Sequence, residues 1–429
     1  MIIKNFPQLA SSSPRKQVLR ILESGLEAIS TDKLMKENFA YDAKKDLLYV
    51  NRKPYDLKPF KKIVVVGAGK MAAPVAEHIE AQMVDRIVGG LVIDIVPIHL
   101  KKIASRVGTH PLPSSSNASA TDEIIDLLNN LTENDLVIAI IGGGGSSLMT
   151  SPHTISLEEE RKITRALMDA GASINETNTV RKHFSEVKGG GFAKLAYPAS
   201  IISLIFSDVP GDDLSMVASG PTVMDTTTIE DAASIIGKYK ILDRCSMDSC
   251  GLSETPKDPK YFERVQNILF CSGGVALDAM QRTAEDLGLK VRIWNRAFTG
   301  EAKDLAVQLL NDTKKGECLI GSGESVVTIK STEKGSGGRN QEMALAALLA
   351  MSEGVVFATL ASDGRDNSDV AGSLVDATNL EFAKKQNLDL KDYLDRHDEY
   401  SALLDINAAI ITGVTGSNVS DLVVCLRYE

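Results

Sequence analysis

Cysteine is scarce in this 429-residue chain: there are five, at positions Cys245, Cys250, Cys271, Cys318 and Cys425. The number is odd and the spacing loose. No CxxC pair and no Cys/His ligand set occurs, which argues against zinc and against a disulfide framework. Cys245 and Cys250 are near enough in sequence to meet in a loop, but two free thiols are the simpler expectation. No apolar run reaches transmembrane length. The opening stretch "MIIKNFPQLASSSPRK" lacks an apolar core of signal-peptide size. A cytoplasmic protein without a membrane partner is expected. Long Lys/Arg runs are also missing, and the net charge is -10 with a pI of about 5.3. That balance speaks against nucleic acid as a partner. It does not exclude anionic substrates, but it requires the positive charges that meet them to be local. Neither a GxxxxGK[ST] phosphate loop nor a repeat of solenoid length is present.

What is there reads as a globular protein, 43% hydrophobic and 24% charged. The length exceeds one ordinary core, so two domains are expected. Short β-branched runs alternate with helical periodicity. "KIVVVGAGKMAAPVAEHIEAQM" reads as strand, turn, helix; "GGLVIDIV" and "DLVIAII" read as strands. Ser116 or Asn117 can cap a helix through "SATDEIIDLLNNL", and "SLEEERKITRALMDAG" carries a Ser cap with early acids and later bases. Between about Asp225 and Tyr261 the chain turns polar and loses its period, the signature of a linker. Beyond it the βα alternation resumes and ends on "DLVVCLRYE", one more strand. Two α/β domains, each with a largely parallel sheet, fit this order. They are expected over 1–245 and 246–429, with the last strand free to pack back on the first domain.

The chemistry concentrates at strand ends. "VVVGAGKMA" sets Gly67, Gly69 and Ala72 in a GxGxxA pattern between strand and helix, the context of a dinucleotide site. Asp94, closing "LVID", comes a little late for the acid that binds a ribose. Lys70 stands at a helix N-terminus, where the dipole disfavours a cation, so a bound anion is its natural partner. "GGGGSS" over 142–147 follows a buried strand. Its bare backbone, including Gly143, Gly144, Ser146 and Ser147, suits close approach of an anion. One glycine would serve a tight turn; four in succession weaken that reading. Arg181, Ser185 and Lys188 fall at helical spacing, placing two cations and a hydroxyl on one face. In "SDVPGDDLSMVASGPT", Asp208, Asp212 and Asp213 follow a strand and can take a proton or hold Mg²⁺. In "KGSGGRNQEMALA", Gly337 and Gly338 precede Arg339, Asn340, Gln341 and Glu342 at a helix start, more polar groups than a cap needs. Asp363 opens "SDGRDNSD" after another strand. Acids and bases at several strand ends are what phosphoryl transfer between two anions needs.

At these motifs the chain resembles the glycerate 2-kinases, the class II glycerate kinase family with a C-terminal MOFRL domain. The likeness is carried in order by "VVVGAGKMA", "THPLPSSSNAS", "GGGGSSLM", "VRKHFSEVKGGGFA", "SDVPGDDLSMVASGPT", "GSGGRNQEMALAAL", "ASDGRDNSDVAG" and "TGSNVSDLVV". The resemblance implies a Rossmann-like N-terminal domain, a smaller α/β C-terminal domain and a cleft between them. It implies ATP- and Mg²⁺-dependent phosphorylation of D-glycerate to 2-phosphoglycerate. By motif match Lys70 and Arg339 are active-site cations; read from the residues themselves, Asp208 or Asp212 is expected as the base or a metal ligand. Gly143, Gly144, Ser146, Ser147, Arg181 and Lys188 face the substrate. Gly337, Gly338, Asn340, Gln341, Glu342 and Asp363 face the nucleotide, with Asp208 and Asp363 on the metal. A homo-oligomer is left open. Two departures stand out: Ser114–Ser116 follow "THPLP" where an acid is expected, and "CSGGVALDA" replaces a Ser-Asn-Arg stretch. Two alternatives differ in class: an NAD(P)H-dependent hydroxypyruvate reductase, resting on GxGxxA, and a non-catalytic nucleotide- or sugar-acid-binding protein.

Overall fold

The computed structural model describes residues 1–329 and 335–428, and its contacts divide the chain into two units. The first unit comprises Leu34–Ser207 and Asp212–Phe270. It opens with a small antiparallel sheet of β1 (Phe39–Asp42), β2 (Leu47–Val50) and β3 (Lys53–Asp56). Its main sheet holds β4 (Lys62–Ala68), β5 (Ile87–Asp94), β6 (Ile103–Val107), β7 (Asp135–Gly142), β8 (Ser200–Phe206) and β9 (Val265–Cys271). Their order is β6-β5-β4-β7-β8-β9, and the pairs from β6 to β8 are parallel. Every residue of β7 is buried, as expected for Val/Ile-rich strands covered on both faces. This is the Rossmann strand order. It reverses between β4 and β7, and open α/β sheets bind ligands at the carboxyl side of such a reversal.

The second unit comprises Met1–Lys33, Asp208–Gly211 and Cys271–Glu429. Its strands are β10 (Lys290–Glu301), β11 (Glu317–Val326), β12 (Val355–Ala361), β13 (Gly372–Asp376), β14 (Ala409–Ile410) and β15 (Asp421–Arg427), in the order β10-β11-β15-β12-β13-β14. Only the β10–β11 pair is parallel; β15 runs antiparallel to both β11 and β12, and β12–β13 and β13–β14 are antiparallel too. A largely parallel sheet was expected here. The chain does make a βα alternation, because the helix Arg339–Ala350 leads from β11 to β12. The C-terminal strand then fills the gap between those two, and alternation carries no trace of that insertion. The last strand is thus central to this sheet, between β11 and β12. Helix Arg339–Ala350 is buried from Asn340 to Leu348 and lies in the core with Leu305, Leu309, Phe357 and Val423.

The division departs from 1–245 and 246–429 at both ends. Helix Ser13–Ala28 belongs to the second unit, where Arg15 makes a buried ion pair with Asp376 at 3.1 Å and Gly25 lies against Met280. The polar segment after Cys245 stays with the first unit: the amide of Ser253 donates to His183 O and Lys257 Nζ to Asp225 O. Helix Ser115–Leu128 starts two to three residues earlier than expected, capped by Ser114 with Asn117 completing the reciprocal bond. Ser156 caps its helix with Glu159, as expected. All five cysteines are free thiols. Among the described residues no helix is long and apolar enough to cross a membrane.

Candidate active site

In the first unit the two glycine loops meet at the strand-order reversal. The amide of Lys70, just after β4, donates to Gly143 O just after β7, at 3.0 Å. Gly144 has φ +80°, and a Cβ there would lie 3.2 Å from His110 and 3.3 Å from the Lys70 side chain. A side chain at this position is therefore both strained and crowded. Gly145 is needed for a different reason: a Cβ would stand 2.7 Å from that of Ala218. Ser146 Oγ is 2.8 Å from Ser219 Oγ, which donates to Asn178 Oδ1 at 2.9 Å. Ser147 Oγ donates to Pro111 O, and Asn117 Nδ2 to Ser147 O. The loop is thus held on three sides.

Arg181 lies in the last turn of helix Ile174–Lys182, where a cation suits the dipole. Its Nη2 donates to Ser146 O at 2.7 Å, but its buried Nε has no hydrogen-bond partner. The side chain is only 7% exposed, and burial lowers its affinity for the proton. Lys188 does not share that helix face, because the helix stops at Lys182. It sits inward instead: Nζ donates to Met149 O and Thr150 Oγ1 and pairs with Glu160 at 3.7 Å. Burial pulls its pKa down to about 8. Glu160 is the acid that favours the charged form of both Arg181 and Lys188. Two buried cations sharing one buried carboxylate leave a positive charge without a counter-ion beside the 142–147 loop. That favours an anionic ligand.

Asp94 decides against the dinucleotide reading. Its carboxylate is fully buried and accepts from Ala73 N at 2.9 Å and Ile95 N at 2.6 Å. It occupies the N-terminus of helix Ala72–Met83, where a pyrophosphate would bind. Burial outweighs those two bonds and pushes its pKa up to about 6. Gly67, the first glycine of the pattern, is needed because a Cβ would lie 2.1 Å from Ile140 O. It serves sheet packing.

In the second unit the polar side chains gather where β11 and β12 end and β15 begins. Arg339 donates from Nε and Nη2 to the two oxygens of Asp421, at 2.7 and 3.0 Å, and from Nη1 to Glu324. Asp421 is fully buried, and burial pushes its pKa up to about 6 despite the arginine. Asp366 caps helix Arg339–Ala350 through the amides of Asn340 and Gln341, at 3.2 and 2.8 Å. Asn340 Nδ2 bridges Asp366 and Asp421, and its carbonyl accepts from Thr359. Gln341 Nε2 donates to Asp366 O and Ser368 Oγ. Both side chains are fully buried; Asn340 links Asp366 to Asp421, the acid that holds Arg339, and Gln341 fixes Asp366. Glu342 points elsewhere, to His397 Nδ1 at 3.1 Å. Gly338 is explained by packing, since a Cβ would lie 2.3 Å from Asp366 O; at Gly337 it would lie 2.2 Å from Glu399 Oε2.

Asp208, half-buried, accepts from Asn418 Nδ2 at 3.2 Å, and its carbonyl accepts from Ser420 Oγ at 2.7 Å. Asp363 accepts from Arg365 N, and its carbonyl from Thr415 N. Both acids therefore border the 415–420 segment that leads into β15. Asp212 lies in the first unit with φ +56°. Its neighbour Asp213 accepts from Ser215 N, an ordinary Asp turn. The side chains that hold Arg339, namely Asp421 and Glu324, were not singled out from the sequence. The signal available was position: Asp421 opens the last strand, in "TGSNVSDLVV". Ser219 and Asn178, which hold Ser146, gave no local signal.

Residues 17–249 match the family described as "Domain of unknown function (DUF4147)" and residues 317–421 match the MOFRL family. A protein of Thermotoga maritima named D-glycerate 2-kinase is 34% identical, over 96% of this chain and 98% of its own. The crystal structure of a glycerate kinase from the same organism superimposes with a TM-score of 0.81 at 33% identity, covering 97% of this chain and 99% of that one. A protein of Agrobacterium vitis with a provisional hydroxypyruvate reductase name is 37% identical, over 85% of this chain and 87% of its own. The reductase name has no counterpart in the site, because Asp94 fills the helix N-terminus that a dinucleotide would use. The DUF4147 and MOFRL matches in sequence order, with the near end-to-end likeness to a D-glycerate 2-kinase, establish that the chain belongs to the glycerate 2-kinase family.

Proposed function

We propose that this protein transfers the γ-phosphoryl group of ATP to the 2-hydroxyl of D-glycerate, giving 2-phosphoglycerate and ADP. The observation that carries the reading is Arg181, a cation 7% exposed whose Nε has no partner beside the 142–147 loop. Its planar fork suits a carboxylate, and glycerate brings one. Gly143, Gly144, Ser146 and Ser147 frame that group. Lys188 sets the charge balance from beneath, through Glu160. Lys70, alongside Gly144, neutralises charge on the reacting oxygens.

Arg339 neutralises the transferring phosphoryl group by giving up Glu324, whose side chain is 45% exposed, while Asp421 keeps hold of its other edge. Asp208 and Asp363 offer hard oxygen donors that suit Mg²⁺, which travels with ATP and spreads phosphate charge. Asp208 or Asp212 takes the hydroxyl proton. A loose transition state asks little of that base and much of positioning and positive charge. The free thiols of all five cysteines suit a cytoplasmic location.

The test is the product. Purified protein with ATP, Mg²⁺ and D-glycerate should release ADP, and enolase should consume the product directly. A product that enolase accepts only after phosphoglycerate mutase is added carries its phosphate on O3, and the assignment fails.

A further inference from the structure

Helix Arg339–Ala350 carries Glu342 in its first turn, and the chain returns to it at His397 and Glu399. One donor atom from each of these three residues lies within 4.8 Å of the other two. His397 Nδ1 is 3.1 Å from Glu342 Oε2 and 4.0 Å from Glu399 Oε1. Glu342 and Glu399 are each 2% exposed. Glu399 Oε1 is buried with no hydrogen-bond partner, and its other oxygen lies over Gly337. A buried carboxylate oxygen in that condition is satisfied by a proton or by a cation. The surrounding acids add to this bias: Glu301 bears on Glu342 against Lys303, and Asp366 and Asp398 bear on Glu399.

We propose that Glu342, His397 and Glu399 form a binding site for one zinc-class divalent ion. Two ligands at about 2.1 Å from zinc in a tetrahedral site are about 3.4 Å apart. The observed 3.1 and 4.0 Å bracket that spacing. An imidazole with two carboxylates suits Zn²⁺, Co²⁺ or Mn²⁺, whereas Mg²⁺ keeps its water and prefers oxygen alone. The His397 side chain, 18% exposed, leaves a route of entry. No cysteine takes part, so the scarcity of cysteine in the sequence does not bear on this site. The ion would fasten the segment around Asp398, which accepts from Ser336 N at 3.2 Å, to the helix that begins with Arg339. Its role is to position that helix start, and it stands apart from the Asp208 and Asp363 assignment.

The experiment uses the full-length chain stripped with EDTA and returned to Mg²⁺-free buffer. It is titrated with Zn²⁺ alone, read by thermal unfolding, and with Co²⁺ alone, read by visible absorption. One saturable site per chain is expected, with a raised Tm and the intensified d–d absorption of cobalt in a low-coordinate site. Glu399→Gln and His397→Ala should each weaken binding by about 100-fold. Glu399→Gln keeps the shape of the side chain, so it serves even if the histidine variant folds poorly. Absence of one-to-one binding in the parent, or equal affinity in parent and Glu399→Gln, overturns the site. Neither readout depends on kinase activity.

Discussion

Arg339 grips Asp421 by two parallel hydrogen bonds, at 2.7 and 3.0 Å, and leaves its third nitrogen to the half-exposed Glu324. The buried acid fixes the plane of the guanidinium, so the edge facing Glu324 is aimed before any ligand arrives. Arg339→Lys keeps the charge but cannot hold Asp421 with one edge and a phosphoryl oxygen with the other. We expect kcat to fall about 30-fold, or roughly 2 kcal/mol of transition-state stabilisation, and to fall more than the KM for glycerate rises. Steady-state kinetics decide; an unchanged kcat would remove Arg339 from the transfer step.

Lys70 is fixed by its backbone, through Gly143 O, and by the crowding around Gly144. Its side chain is half-buried. Lys70→Ala should lose at least about 100-fold in kcat/KM, near 2.7 kcal/mol, with little change in Tm. Activity close to the parent would make Lys70 an ordinary surface lysine.

Asp94 gives the fold a pH dependence of its own. Its pKa is raised to about 6 in the folded protein, above the value for an unfolded chain. Below about pH 4 both states carry the proton and the full stability is present. As pH rises from about 4 to 6 the unfolded chain releases its proton first, so stability falls; above about 6 the loss is complete. It amounts to on the order of 3 kcal/mol. Asp94→Asn removes the titration. The variant should therefore gain on the parent between pH 4 and pH 7 in urea unfolding. Parallel stability curves over that range would mean that Asp94 titrates normally.

Much of the first unit could be read from sequence because its central strands β4 and β7 are short Val/Ile runs closed by glycine turns. Both Gly67–Lys70 and the 142–147 run fall at the carboxyl ends of adjacent strands, and the reversal of strand order brings them together. The second unit was less legible. The place of β15 between β11 and β12 is set by long-range pairing, such as Gly323 with Asp421 and Asp421 with Ala361, and no local period encodes it. The same holds for helix Ser13–Ala28, whose apolar residues fit any partner. In "GGRNQE", composition revealed a dense polar site but not its geometry. Arg339 turns to Asp421, Asn340 and Gln341 turn to Asp366, and Glu342 turns to His397.

Arg181 separates a ligand-binding residue from a structural one, because the two roles predict opposite changes in stability. Its side chain is 7% exposed, with one bond to Ser146 O and a buried Nε that bonds to nothing. Glu160, the nearest carboxylate, is already engaged by Thr150 and Lys188. Holding a cation there without a ligand costs folding free energy, since its hydration is lost and not replaced. An arginine kept for structure would be bound on all sides; one kept for a ligand is stabilised only when the anion arrives. Arg181→Met fills similar space without charge. In the absence of substrate we expect its Tm to equal or exceed that of the parent. The KM for D-glycerate should rise about 30-fold, matching the loss of roughly 2 kcal/mol expected for a charged hydrogen bond. The KM for ATP should change little. Arg181→Lys should recover part of the affinity, because the charge returns without the fork. D-glycerate should also protect the parent, but not Arg181→Met, against thermal unfolding. A Tm well below the parent, together with an unaltered KM for glycerate, would make Arg181 a strut of the 142–147 loop and move the carboxylate site elsewhere.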